Sequence, residues 1–359
     1  MSDPFPGLKG RRILVTGDTG FKGSWLALLL EQAGAEVAGF ALPAEPGSLS
    51  ARLGRSRAPW SDGDVREPHA IADAFGQLQP EVVFHLAAQP LVRRSYREPV
   101  ETFSTNVQGT AVLLEAARRC ASTRAIVVVT SDKCYRNDGS GRSFREDDPL
   151  GGEDPYSASK AAAEMVAASY RQSFFERAEP PVGLATARAG NVLGGGDWAE
   201  DRLVPDVVRA LQSGCPLILR NPGAVRPWQH VLDVCFGYAI LGEALLRDAR
   251  RTSGAWNFAP DAAGTTVRDL VAHLFTAWDV PHPWPVEEVR AAAPEAPVLR
   301  LDAARARAEL GWRPRLGPEE TILWTVDWFR RLGAGASARE LCAGQLAEYL
   351  RRVATESAA

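Results

Sequence analysis

Tyr156 and Lys160 stand four residues apart in the pattern Y-x-x-x-K. On a helix that spacing puts both side chains on one face. An ammonium ion beside a phenol stabilises the tyrosinate and lowers its pKa toward neutrality. Such a pair can take the proton of a hydroxyl while a cofactor takes hydride, and the lysine can also hold a cofactor ribose. Earlier in the chain, TSDKCY sets Ser131, Asp132 and Lys133 in a row after the apolar run AIVVV. Ser131 can share the hydroxyl's proton with Tyr156. Asp132 is a candidate acid and Lys133 a candidate base, and titratable groups with opposite duties in one pocket mark acid–base chemistry. The plainer alternative is that Asp132 and Lys133 only pair with each other in a loop. To work as a base, Lys133 must titrate a few units below the roughly 10.4 of a free lysine. If it stays charged, it orients or polarises instead.

Composition sharpens the choice of residues. Of 41 basic residues, only Lys9, Lys22, Lys133 and Lys160 are lysines. Arginine keeps its proton near neutrality, whereas a lysine's pKa can be tuned downward. Lys9 lies near the terminus, and the other three fall inside motifs.

Gly17, Gly20 and Gly23 form G-x-x-G-x-x-G directly after the first apolar run and at the opening of a helical pattern. Glycines there let backbone approach a pyrophosphate, which rests on the helix N-terminus. The strand–turn–helix context favours dinucleotide binding over an ordinary turn. The second strand ends Ala41-Leu42-Pro43 with no acid until Glu45, so no carboxylate there selects NAD over NADP. Arg52, Arg55 and Arg57 follow at a distance, as surface charges or as partners for a 2′-phosphate.

These residues need a scaffold, and the apolar pattern supplies one. Strands are expected at 11–17, 36–42, within 58–65, and at 81–88, 124–131 and 182–190. Helices are expected at 23–33, 67–79, 99–120 and 155–178, the last starting with a proline. Apolar strands alternating with helices imply an α/β fold, a doubly wound parallel sheet covered on both faces. Ligands of such sheets bind beyond the carboxyl ends of the strands, where Ser131 lies. After about residue 195 the regularity loosens: short strands at 216–222, 255–260 and 298–302 mix with helices, and helices at 321–333 and 338–353 close the chain. This half reads as a smaller, mixed α/β lobe over the strand ends.

The bulk numbers exclude other classes. A chain of 359 residues with 45% hydrophobic and 24% charged residues is an ordinary globular composition. A net charge of −3 offers no basic field for nucleic acid. No apolar run reaches the roughly 18 to 20 residues of a membrane span, and the N-terminus lacks a signal peptide's apolar core. Five scattered cysteines fit a reduced compartment, and a cytoplasmic location is expected. Five histidines, none at metal-ligand spacing, suggest no metal site.

GDTGFKGSWL, HLAAQPLVRRSY, TSDKCY, DPYSASK, RAGNVLGGGDWAEDRLVPD and RPWQHVLD together resemble the extended short-chain dehydrogenase/reductases. Among these the chain is most similar to the nucleotide-sugar 4,6-dehydratases of the CDP-glucose branch. The similarity runs from Arg12 to about Trp328. It implies a Rossmann-like domain that binds NAD over 1–190, with some later segments returning to it, and a sugar-nucleotide lobe over 191–359. By position it implies a triad of Ser131, Tyr156 and Lys160, with Asp132 as the acid that expels the C6 hydroxyl. Lys133 stands where most such dehydratases carry glutamate. The resemblance assigns Gly17, Thr19, Gly20, Phe21, Lys22, Gly23, Asp64, Val65, Leu86, Ala87 and Ala88, with Tyr156 and Lys160, to the cofactor. Gln89, Asn106, Asn191, Arg202, Leu203, Arg226, Trp228 and Glu295 are assigned to the substrate side, with Asn106 expected to prop the active-site helix. Pro43 departs from members with an acid there. A homodimer or dimer of dimers, through helices 99–120 and 155–178, is also implied. Two rivals remain: an epimerase or a dehydratase acting on another nucleotide sugar, and an idle dinucleotide-binding sensor. Trp198, Trp228 and His85 also have an ordinary reading as core or structural side chains.

Overall fold

Six apolar runs and the short segment Trp60–Asp62 form strands whose carboxyl ends line up at one edge. They are β1 (Arg12–Thr16), β2 (Glu36–Ala41), β3 (Trp60–Asp62), β4 (Val82–His85), β5 (Ala125–Val129), β6 (Gly183–Ala189) and β7 (Gly254–Phe258). This is a computed structural model, and it describes residues 4–54, 60–260, 264–280, 284–289 and 298–357. The strands make one parallel sheet in the order β3-β2-β1-β4-β5-β6-β7. The order reverses direction between β1 and β4, where a crevice opens and ligands bind in such sheets. Register brings Thr16 beside His85, and Val129 beside Ala187, so the last residues of the central strands share one rim.

The apolar residues of each central strand divide between two cores. Ile13, Val15, Val82, Phe84, Val127 and Val129 pack on one face. There they meet helix α1 (Phe21–Gln32) and, from far along the chain, Val231–Arg247. Leu14, Val83, Ile126 and Val128 pack on the other face. That face is covered by α2 (Pro68–Leu78), α3 (Gly109–Arg119) and α4 (Pro155–Tyr170). Strands buried on both faces read as continuous apolar runs, which is why they stand out in the sequence.

The second half supplies α5 (Leu203–Ser213), α6 (Val231–Arg247), α7 (Val267–Trp278), α8 (Pro318–Gly333) and α9 (Ala338–Ser357). Its short strands pair in twos, Leu217–Arg220 with Val286–Val289 and Val225–Arg226 with Thr265–Thr266.

Several expectations are corrected. The single helix expected at 99–120 is Pro99–Phe103, then a π-helical turn at Ser104–Gln108, then α3. The helix expected at 155–178 turns π-helical at Arg171–Phe175. A short helix, Val92–Arg97, and α5, α6 and α7 were not anticipated. In α6 the reason is physical: VLDVCFGYAILGEALLR is buried nearly all round, so no polar face marks its period. The strand at 255–260 does not belong to the lobe's small sheets. As β7 it pairs with β6 and extends the main sheet.

Candidate active site

The glycine turn between β1 and α1 is built by close approach. Gly17 has φ +75°, and a Cβ there would lie 2.6 Å from the Ala87 nitrogen. A Cβ on Gly23 would lie 2.1 Å from the Gly17 oxygen. Both positions therefore require glycine on the protein's own account. Gly20 differs, because its φ of −77° is ordinary and a Cβ would only crowd the Gly17 oxygen at 3.2 Å. It is the N-cap of α1, offers no side-chain cap, and no acid occupies the first turn. The positive end of the helix thus faces outward without a covering side chain, a seat for a pyrophosphate. The chain fits a dinucleotide at this turn.

Around it, Thr19 Oγ1 donates to the Leu42 carbonyl at 3.1 Å, and Leu42 itself is 59% exposed. Both oxygens of Asp64 accept from Arg66 Nε at 2.9 Å, and that pairing holds its carboxyl below the usual range. Leu86, Ala87 and Ala88 are half-buried just beyond β4. Val65 is core: its Cγ2 would lie 2.8 Å from a Cβ on Gly109. Phe21 packs by Gly194. The Arg52 guanidinium lies over the Trp198 ring at 5.4 Å and donates to the Gly47 carbonyl. It is taken up there rather than held for a 2′-phosphate. Arg55 and Arg57 lie outside the described residues.

A cavity of about 250 Å³ opens above the rim. On the sheet side it is lined by Lys22, Thr130, Ser131, Asp132, Lys133 and Tyr156. Asp132 and Lys133 lie on a single 3-10 turn, Asp132–Cys134, with Ser131 as its N-cap. Ser131 Oγ accepts from the Lys133 nitrogen at 3.2 Å and donates to Asp132 Oδ1 at 2.9 Å. The other oxygen, Asp132 Oδ2, is buried with no hydrogen-bond partner among the described residues. A buried carboxylate oxygen without a donor is costly unless a ligand meets it. Asp132 and Lys133 form no ion pair with each other among the described residues, so the plainer alternative is not what the turn does.

Tyr156 enters from the first turn of α4. Pro155 and the N-cap Asp154 begin that helix, with Asp154 Oδ1 accepting from the Ser157 nitrogen at 2.9 Å. The phenol is buried, and burial pushes its pKa up to about 12; a hydrogen bond with Ser131 pulls the other way, followed by the nearby charge of Arg202. Lys160, expected to tune that phenol, stands on the same helix and is itself anchored. Lys160 Nζ donates to the Val129 carbonyl at 3.2 Å. Burial, then the charge of Lys22, brings Lys160 down to about 8. Lys22 is also brought to about 8, by burial and then by Arg202.

The opposite wall is cationic and leans on acids. Arg93 and Arg220 both meet Asp201 Oδ1, at 3.1 and 3.0 Å. Arg202 meets Asp197 Oδ2 at 3.2 Å. Arg226 is buried and donates to the Val225 carbonyl at 2.9 Å. Asn191, Leu203 and Trp228 also line the cavity, and Trp228 Nε1 donates to the Thr265 carbonyl at 3.2 Å. Sequence reasoning missed Arg93 and Arg220. The run LVRRSY held the only signal for the first, and nothing marks the second apart from other surface arginines.

Two residues expected on the substrate side point elsewhere. Asn106 is buried in the π-helical turn. Its Nδ2 donates to the Gln89 carbonyl at 3.1 Å and to Ser159 Oγ at 2.8 Å, while Oδ1 accepts from the Gln89 nitrogen at 2.8 Å. Gln89 spends its own amide on Leu91 and Thr102. Both are internal braces and neither lines the cavity. Glu295 lies outside the described residues.

The comparisons agree with this geometry. A family model described as GDP-mannose 4,6 dehydratase matches residues 14–324. The CDP-glucose 4,6-dehydratase of Salmonella typhimurium is 42% identical over 348 residues, which is 95% of this chain and 97% of that protein. The dTDP-glucose 4,6-dehydratase of Streptomyces antibioticus is 34% identical over 89% of this chain and 92% of its own. Among solved structures, a double mutant of the dTDP-glucose 4,6-dehydratase of Streptomyces venezuelae with NAD bound superposes with a TM-score of 0.75 at 26% identity, covering 89% of this chain and 97% of that one. The Thermus thermophilus UDP-glucose 4-epimerase in complex with NAD gives 0.75 at 28% identity, with 89% and 99% covered.

Proposed function

The chain belongs to the GDP-mannose 4,6-dehydratase family, and from that premise we propose that it converts CDP-D-glucose to CDP-4-keto-6-deoxy-D-glucose and water. The observation that carries the dehydratase reading is the partnerless Asp132 Oδ2, held in the cavity beside Ser131, Tyr156 and Lys133. An epimerase needs the hydroxyl chemistry of Ser131 and Tyr156 but has no use for an acid placed there. The choice of CDP over other nucleotides rests on the 42% identity.

NAD is the cofactor, and Gly17, Gly20, Gly23 and Lys160 are the residues that would hold it. When bound, it supplies reversible hydride acceptance, so the reaction needs no external reductant. The phenolate form of Tyr156 takes the C4 hydroxyl proton and becomes the phenol, with Ser131 sharing that proton. Because burial favours the neutral phenol, the nearby cations must stabilise the phenolate for it to act. Once C4 is a ketone, the C5 hydrogen is acidic and Lys133 removes it. Asp132 Oδ2 delivers a proton to the departing C6 hydroxyl. Arg226 and Arg202 clamp the diphosphate, and arginine's two-pronged donors suit that task.

Two further readings attach to this one. Val100, Phe103 and Met165, which are 81%, 39% and 59% exposed, lie on the adjoining helices before and within α4. That apolar face suits a two-fold homodimer, which sedimentation of the whole chain against a Val100→Glu, Met165→Glu variant tests. No helix among the described residues is long and apolar enough to cross a membrane. A cytoplasmic location fits that fact together with five free cysteines.

The deciding experiment offers CDP-, dTDP-, UDP- and GDP-glucose separately and reads product mass. Fastest water loss from CDP-glucose supports the proposal. Faster loss from another nucleotide moves the base specificity, and a C4 epimer of unchanged mass overturns dehydration. Lys133→Met then tests the base: wild-type exchange of the C5 hydrogen with solvent would remove Lys133 from that role.

A further inference from the structure

His85, at the carboxyl end of β4, touches neither cavity nor surface, yet it joins the two sides of the site. Its Nδ1 lies 2.7 Å from Thr16 Oγ1 and its Nε2 lies 3.2 Å from Thr110 Oγ1. The neighbours fix which nitrogen carries the proton. Thr110 has one hydroxyl proton and donates it to the Asn106 carbonyl at 2.7 Å. Thr110 must therefore accept from His85, which makes Nε2 an N–H. Burial, with the charge of Lys160, brings the ring's pKa down to about 3, so it is neutral and Nδ1 is an acceptor. Thr16 then donates to Nδ1, while Thr16 Oγ1 accepts from the Ala87 nitrogen at 3.3 Å.

The result is a directed line of hydrogen bonds. It starts at Ala87, the residue that Gly17 packs against in the cofactor turn, and passes through Thr16, His85 and Thr110 to the backbone of the π-helical turn. Asn106, at that turn, donates to Ser159, and Ser159 donates to the Tyr156 carbonyl at 2.7 Å. Thr16, His85, Thr110, Asn106 and Ser159 are all buried. A π-turn is a local departure from the helix that needs a partner to hold it, and such turns collect at functional sites. An aliphatic residue would fill the space at position 85 equally well but would leave Thr16 and Thr110 without their partner.

We propose that His85 is a positioning residue: as the fixed Nε2–H tautomer it ties the floor of the cofactor turn to the first turn of α4, and so sets where Tyr156 stands. The link rests on the reading above for its catalytic meaning, but its geometry can be tested without turnover. In the full chain, hydrogen exchange is measured by mass spectrometry for His85→Phe, His85→Gln and Thr110→Val. Loss of one buried hydrogen bond amounts to about a tenfold change in local opening. The expected result is about tenfold faster exchange at residues 156–161 in His85→Phe and Thr110→Val, with 165–170 and β5 unchanged. Glutamine, whose amide N–H reaches where Nε2–H does, restores protection. With CDP-glucose, kcat falls and KM holds. If His85→Phe does not fold, Thr110→Val reads the same link. Unchanged exchange at 156–161, or a uniform rise across the sheet with no rescue by glutamine, overturns the proposal.

Discussion

The two walls of the cavity are built on opposite plans. The sheet wall presents Ser131, Asp132 and Tyr156 from the ends of parallel strands and the first turn of a long helix, all buried. Behind it lies a second buried pair, Glu164 with Arg188. Glu164 accepts from Thr130, Thr186 and two nitrogens of Arg188, and Arg188 donates onward to Tyr135 and the Glu146 carbonyl. One carboxylate thus joins α4, the end of β5 and the end of β6. The lobe wall presents Arg202 and Arg220 half-buried, joined by Arg93 from the short helix Val92–Arg97, each leaning on an aspartate. Its strands are two to four residues long. Groups that must meet a reacting atom sit on rigid elements, whereas charges that only clamp a flexible diphosphate can stand on adaptable ones.

That contrast can be broken at either wall. The largest effect is expected from Tyr156→Phe, which removes the proton acceptor alone: kcat should fall by about 10³-fold or more with KM little changed. A rise in KM at constant kcat would put Tyr156 with the clamps. Glu164→Gln leaves Arg188 buried without its charge partner and should cost about 3 to 5 kcal/mol in denaturant unfolding. A loss under about 1 kcal/mol would show that the sheet wall does not depend on the pair. On the lobe wall, Arg226→Ala should raise KM for the nucleotide sugar by about 30-fold, the worth of a hydrogen bond to a charged group, with kcat within a few-fold. The smallest effect, counted per histidine and per pH unit, is on stability. His85 and His230 are both held near 3 by burial, His85 also by Lys160. The unfolded chain binds protons at these sites below about 6.5 and the folded one does not, so stability must fall as pH drops from there toward 3. The slope approaches about 1.4 kcal/mol per pH unit for each histidine, and His85→Gln should remove one share of it. A stability flat from pH 7 to 5 would contradict the neutral ring.

The walls also differed in how far the sequence disclosed them. β1, β4, β5 and β6 were legible because burial on both faces makes continuous apolar runs, and Gly17 and Gly23 because their backbones allow no side chain. Ser131, Asp132 and Tyr156 were legible as chemistry at strand ends. The braces were half legible: Asn106 was expected to prop the active-site helix, where its Nδ2 meets Ser159, yet it and Gln89 were also placed on the substrate side, because a polar side chain near a motif gives no sign of which way it points. Lys160 was legible as a residue on the helix face of Tyr156, but its four-residue spacing gave no sign of the Val129 carbonyl that its Nζ meets. α6 was hidden by being apolar all round, and Arg220 by resembling every other arginine in a chain that uses them freely.

The most direct test concerns Asp132, whose unpartnered oxygen carries the dehydratase reading. Asp132→Asn keeps the size of the side chain and removes the acid. Incubated with CDP-glucose in deuterated water, the variant should yield almost no product lighter by one water, while deuterium still enters at C5. Water loss at the wild-type rate would contradict the account and return the rigid wall to oxidation alone.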